Sequence, residues 1–236
     1  MKPNDADRAM LEFFGRFELA LQDEDLDEAR ACYEQLRSQA GDEHPEVAYA
    51  LARLTWATDD DEAAEPLLER VLVLEPRHAE ACYDLGCIAD DRGDAAVAVE
   101  RFLRVRALDA EGDRELGVGS PEQLDHIERV ARELLDALPA PFGERLAQVP
   151  VLIERRPSRT LVAEGFDPRA FGLFEGPTDA MPDVPMPKHI VLYACNLLAE
   201  FPEEPLLSEQ IEVTLLHEIG HYFGLDEDDM VRLGLD

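Results

Sequence analysis

Two histidines four residues apart, His217 and His221, with Glu218 directly after the first, are the residues of this 236-residue chain best placed to do chemistry. Positions four apart on a helix share a face, so both imidazoles reach one metal ion. Glu218 then stands where it touches a metal-held water rather than the metal itself. That is the minimal apparatus of zinc hydrolysis, in which the ion acidifies a water and a carboxylate takes its proton. A catalytic zinc takes three protein ligands and keeps one position open. Gly224, three residues after His221, lets the chain leave the helix sharply, and the turn returns the acidic run Asp226-Glu227-Asp228-Asp229. The spacing HExxHxxGxxE puts Glu227 at the third-ligand position, with Asp226 and Asp228 as alternatives. Asp226 is equally placed to cap a helix over 227–233, in which Met230 reads as core.

The helix carrying the motif is expected to start at a Ser208 cap and end at Gly224, with Ile211, Leu215, Ile219 and Phe223 as its apolar stripe. Upstream, Ser120-Pro121-Glu122-Gln123 opens another helix with Ser at the N-cap, Pro at N1 and Gln at N3. It runs to about Leu138 and stops at Pro139-Ala140-Pro141. Strand-like runs follow at 148–154 and 189–193, with a weaker one at 160–163. Residues 172–176 and the Pro-rich 177–187 read as loop holding at most a short strand. The strand at 189–193 is expected to lie antiparallel to a bound peptide. This half is therefore α+β.

Before residue 110 the texture is different: Ala, Leu, Glu and Arg with apolar residues at helical spacing. A period of 34 runs through it. Ala98, Phe102, Val105 and Leu108 take the places of Ala64, Leu68, Val71 and Leu74, and Cys82, Leu85 and Gly86 those of Ala48, Leu51 and Ala52. Small residues at Ala52/Gly86 and Ala64/Ala98 let two helices approach within one hairpin. This stretch resembles the tetratricopeptide repeat family, with clear copies at 45–78 and 79–112 and a register-shifted segment at 8–42. The resemblance implies a curved helical array whose groove holds a peptide or protein partner. Its groove-facing positions, carried over, are Glu46, Tyr49, Arg53, Trp56, Glu80, Tyr83, Cys87 and Asp90. Aromatics interleaved with acids suit a basic or mixed peptide. Residues 1–112 are thus expected to be the array, 113–119 a linker, and 120–236 a second domain.

That second domain resembles the small bacterial zincin-like metallopeptidases known as minimal metalloproteases. The resemblance rests on the helix ending at Leu138-Pro139, the strand from Val149 to Glu154, Asp167-Pro168, and Gly172-Leu173-Phe174-Glu175-Gly176-Pro177. It continues through Ile190-Val191-Leu192-Tyr193 to His217-Glu218-Ile219-Gly220-His221-Tyr222-Phe223-Gly224-Leu225. It implies a compact metzincin-like fold, His217 and His221 as zinc ligands and Glu218 as general base of peptide-bond hydrolysis. The family usually carries Asp as third ligand, where this chain has Glu227. A second reading stays open at this level: a repeat scaffold whose zincin-like domain holds metal without turnover.

Charge narrows the partners. Against 22 Lys+Arg stand 53 Asp+Glu, a formal net charge of −31, and the excess is spread over both halves. Such a field repels phosphate backbones and anionic lipids, which argues against nucleic-acid or membrane-surface binding. No apolar run reaches the roughly 18–20 residues of a membrane span, and Met1 to Asp7 is polar without a signal-type core. Cys32, Cys82, Cys87 and Cys195 form no CxxC pair, so reduced thiols and a cytoplasmic location are expected.

Overall fold

Good helix formers with few interior breakers become six helices in the first half: α1 (Asp5–Gln22), α2 (Leu26–Ala40), α3 (Pro45–Trp56), α4 (Asp61–Leu74), α5 (Ala79–Asp91) and α6 (Ala95–Leu116). These belong to a computed structural model that describes residues 5–58, 61–179 and 187–233. The chain divides into two compact units, Met1–Leu108 and Asp109–Asp236. In the first, α3 and α5 begin 34 residues apart (45 and 79), as do α4 and α6 (61 and 95). Ala52, Ala64 and Ala98 are buried as the period requires. Gly86 lies so close to Phe102 that a Cβ there would stand 2.5 Å from the ring. The first unit's core has two clusters, one around Tyr49, Leu68, Val71 and Leu85, the other around Phe17, Cys32, Leu36 and Val47. The segment 113–119, expected as a linker, is helical through Leu116 and turns at Gly117 and Gly119, with φ of +72° and +75°.

The second unit opens with α7 (Pro121–Ala137), whose Ser120 and Gln123 form the expected capping box. Helix stops again at Leu138, but Pro139-Ala140-Pro141 starts a new one, α8 (Ala140–Leu146), because a proline in a first turn lacks only an amide that no helical carbonyl would have accepted. Then follow β1 (Val151–Glu154), α9 (Arg159–Ala163), β2 (Gly172–Glu175), β3 (His189–Tyr193), α10 (Ala194–Glu200), α11 (Glu204–Tyr222) and α12 (Glu227–Leu233). Two expectations are corrected here. The weak strand at 160–163 is helix α9, since the Ser158 hydroxyl accepts the Leu161 amide and caps a turn that its β-branched residues tolerate. The motif helix starts at Glu204, not at a Ser208 cap: Pro205 occupies its first turn, and the Ser208 hydroxyl lies 3.2 Å from His126 Nε2.

The three strands form one sheet in the order β1-β3-β2, with β3 parallel to β1 and antiparallel to β2. β3 is therefore central, and both its edges are filled. The expectation that 189–193 faces a peptide is thereby overturned; among the described residues β1 and β2 are the edge strands, and β2 is the one against α11. The core of this unit gathers Ile127 and Val130 of α7, Ile190 and Leu192 of β3, and Ile211, Leu215 and Ile219 of α11. A buried polar clasp fixes the approach to β2. Arg156 holds both Asp113 carboxylate oxygens at 2.6 and 2.8 Å and reaches Asn196 Oδ1 at 2.5 Å. The Asn196 amide in turn donates to the Pro168 and Ala170 carbonyls at 3.0 and 2.6 Å. Among the described residues no helix is long and apolar enough to cross a membrane, and all four cysteines are free thiols.

Candidate metal centre

In its last three turns, α11 is enclosed on several sides, and each side has a different task. Ile211, Leu215 and Ile219 enter the core, Thr214 and Glu218 are buried as well, and His217 and His221 stay half-exposed. A Cβ on Gly172 of β2 would stand 2.7 Å from Glu218 Oε1 and 2.9 Å from the Thr214 methyl, so this side of α11 lies against β2. Gly220 meets α12 on another side. A Cβ there would come within 2.6 Å of Met230 Sδ, and Met230 is fully buried.

The helix ends as its glycine dictates. Gly224 has φ +84°, its amide donates to the His221 carbonyl and the Leu225 amide to the Gly220 carbonyl, both at 3.0 Å. That double closure is the Schellman pattern, which only a residue at ease with positive φ completes without strain. Asp226 then accepts the Asp229 amide at 2.9 Å and caps α12. Glu227 becomes the first helical residue, turned back toward α11.

His217, His221 and Glu227 come together, with ligand atoms all within 4.8 Å of one another. The two Nε2 atoms are 3.0 Å apart, and the Glu227 oxygens lie 3.3 Å from His221 Nε2 and 3.7 Å from His217 Nε2. Ligands bound tetrahedrally at zinc distances of 2.0–2.1 Å stand about 3.3 Å from each other, so the donor set fits that ion. His221 Nδ1 lies 3.3 Å from the Leu225 carbonyl. A hydrogen on Nδ1 serves that carbonyl and leaves Nε2 as the lone pair facing its partners. Asp226 is engaged as the cap, and Asp228 is exposed and outside the group.

Glu218 is only 7% exposed. Burial pushes its carboxyl above the usual carboxylate range, against the pull of His221 and His217 and a hydrogen bond from the Phe174 backbone. That bond follows from the register. The Tyr193 amide donates to the Phe171 carbonyl at 2.8 Å, so Leu173 and Glu175 turn their amides toward β3 while Gly172 and Phe174 turn theirs outward. A Cβ at 172 would also stand 2.9 Å from Glu218 Cγ, so glycine is what lets the strand come this close.

In the first unit the eight groove positions behave unequally. Tyr49 is buried, packs on His78 with ring centroids 4.6 Å apart, and its hydroxyl accepts from Arg53 at 3.1 Å. Arg53 also pairs with Glu18 at 3.5 Å and Asp84 at 3.9 Å. Trp56 donates to Asp61 at 3.0 Å, and Tyr83 packs against Phe102 at 5.9 Å. Cys87 is half-buried and Asp90 exposed, while Glu46 and Glu80 line one cleft. The sequence alone did not show the closeness of Gly172 to Glu218, Met230 as a partner of Gly220, or the capping histidines His44 and His78. The last pair does recur at 34 residues.

Residues 146–235 match the model of the zincin-like metallopeptidase family. They run from the end of α8 across the sheet and the motif helix into α12. The comparison with curated proteins finds no match.

Proposed function

We propose that the second unit is a zinc-dependent peptidase and that the first is a tetratricopeptide-type array that binds a peptide or protein partner. One observation carries the peptidase reading: three ligand atoms meet within 4.8 Å beside a buried carboxylate that is not one of them. A closed structural site has no use for such a neighbour, and more often completes four ligands with cysteine. Bound by His217, His221 and Glu227, a zinc ion supplies Lewis acidity and a water acidified to near-neutral pKa. Glu218 accepts the proton of the attacking water and delivers it to the leaving amine. The outward side of β2 offers the Gly172 amide and carbonyl and the Phe174 carbonyl to an extended peptide, beside Glu218. For the first unit, support comes from helices restarting at intervals of 34. Free thiols, with burial pushing Cys195 up to about 11, suit a reducing cytoplasm.

Metal per chain in protein purified without chelators, followed by peptide hydrolysis of wild type and Glu218→Gln, is the test. About one zinc in both proteins with turnover only in wild type is the expected result. Equal turnover in the two would remove Glu218 from the mechanism, and an absence of zinc after reconstitution would overturn the peptidase reading altogether.

A further inference from the structure

Helices α3 and α5 begin with the same device 34 residues apart, His44-Pro45-Glu46 and His78-Ala79-Glu80. In each, a histidine ring caps its helix: His44 Nδ1 accepts the Glu46 amide at 3.3 Å, and His78 Nδ1 the Ala81 amide at 3.1 Å. Both starts border a cleft of about 440 Å³ in the first unit, walled by Met10, Phe14 and Tyr49. Helix N-termini ordinarily draw anions through their free amides. Here a ring nitrogen occupies one such amide at each start, and a glutamate stands in each first turn, so the local preference is turned toward cations.

What lies beneath strengthens the sign. Glu18 and Asp84 share Arg53, at 3.5 and 3.9 Å. Burial raises the Glu18 carboxyl above its ordinary value; Arg53 opposes, and Asp84, Glu80 and Glu46 push it further. A second observation points into the cleft. The His78 side chain is only 4% exposed and its Nε2 has no hydrogen-bond partner among the described residues, with Glu46 Oε2 still 3.9 Å away. Because Nδ1 accepts, the neutral ring carries its hydrogen on Nε2. This buried donor on the cleft wall thus faces the Glu46 carboxylate from 3.9 Å, with Glu80 3.7 Å from Nδ1, and has no acceptor at hydrogen-bond distance, an arrangement that a ligand carbonyl completes.

We propose that this cleft binds a lysine or arginine side chain of a partner peptide, its cationic head between Glu46 and Glu80, its methylenes against Phe14, Met10 and Tyr49, and a peptide carbonyl on His78 Nε2. The site rests on the reading of the first unit as a peptide-binding array and is independent of the metal. Long cationic side chains bury their stems on apolar surface and keep the head near carboxylates or over rings, which this lining provides together.

The test is fluorescence anisotropy of the full chain at physiological salt. The probes are labelled octapeptides carrying one lysine, one arginine or one glutamate in a glycine–serine background. Saturable binding of the lysine and arginine probes but not the glutamate probe is expected. Glu46→Gln combined with Glu80→Gln should weaken it about tenfold. His78→Asn, which keeps a capping oxygen but lacks the Nε2 hydrogen, should weaken it as well, with an unchanged melting temperature showing that the fold is kept. Glu62→Gln with Glu100→Gln removes the same charge from exposed positions away from the cleft. Equal weakening by that pair, or no saturable binding of either cationic probe, overturns the proposal. Binding of the glutamate probe instead would overturn it while leaving the array a peptide binder. The same titration on His217→Ala should match wild type, whatever becomes of hydrolysis.

Discussion

Glu218 and Glu227 belong to the same residue type, and their surroundings give them opposite tasks. Glu227 stands on a first turn with its side chain 73% exposed, free to swing onto a cation held by two imidazoles. Glu218 is wedged between α11 and β2, where burial keeps its proton affinity high. Exchanging Glu227 for Gln preserves size but removes charge, and zinc affinity measured by competition with a chromogenic chelator is expected to fall by roughly 10- to 100-fold or more. His221→Ala should abolish stoichiometric zinc. Gly172→Ala probes the other carboxylate: the new methyl stands 2.7 Å from Glu218 Oε1 and must displace it. Displacing a reacting group by even 1 Å costs about 100-fold in rate, so kcat should drop by about that factor with metal content unchanged. Unaltered kcat in Gly172→Ala would mean that Glu218 needs no such placement.

The proposed third ligand, Glu227, sits on an element of seven residues, too short to be helical by itself. Its anchor is Met230 packed on the bare backbone at Gly220. Met230→Ala should cost about 2–5 kcal/mol of stability in denaturant unfolding, as large-to-small core changes do. It should also weaken zinc, because Glu227 rides on the same short helix. A variant that loses stability but binds zinc as before would show α12 to be held by Glu227 alone. The motif helix, its stripe, the glycine exit and the capping box of α7 were legible in the sequence, because each rests on residues within one or two turns of each other. Helix α9 was not: Thr160 and Val162 carry strand preference, and the Ser158 cap together with the burial of Val162 decides otherwise. The place of 189–193 inside the sheet was illegible too. Its run of apolar residues says that both faces are covered, and only pairing with β1 and β2 reveals that both edges are. Of the metal group, the two histidines follow from helix geometry, whereas choosing Glu227 among three neighbouring acids needs the Asp226 cap, which sets where α12 begins.

Across the whole chain, −31 formal charges on 236 residues repel one another in any compact state. Raising salt from about 10 mM to 150 mM shortens the reach of that repulsion from roughly 30 to 8 Å, so the melting temperature is expected to rise with sodium chloride. A flat or falling melting temperature over that range would mean that the ion pairs lost to screening outweigh the relief. Zinc should act on top of this through mass action. At a hundredfold excess over its dissociation constant it should add about 2.7 kcal/mol, a gain that His217→Ala should abolish. In the proposed centre, two ligands on the long α11 and one beyond the Gly224 turn would also set a tempo. A zinc ion held there would leave as α12 lifts away, with His217 and His221 still in place on α11. Its exchange rate would then be the opening rate of α12, and isotopic zinc should swap in step with deuterium uptake at the amides of residues 227–233. Such a centre would exchange its ion with the free zinc around it, a resident on a lease and not a permanent fixture.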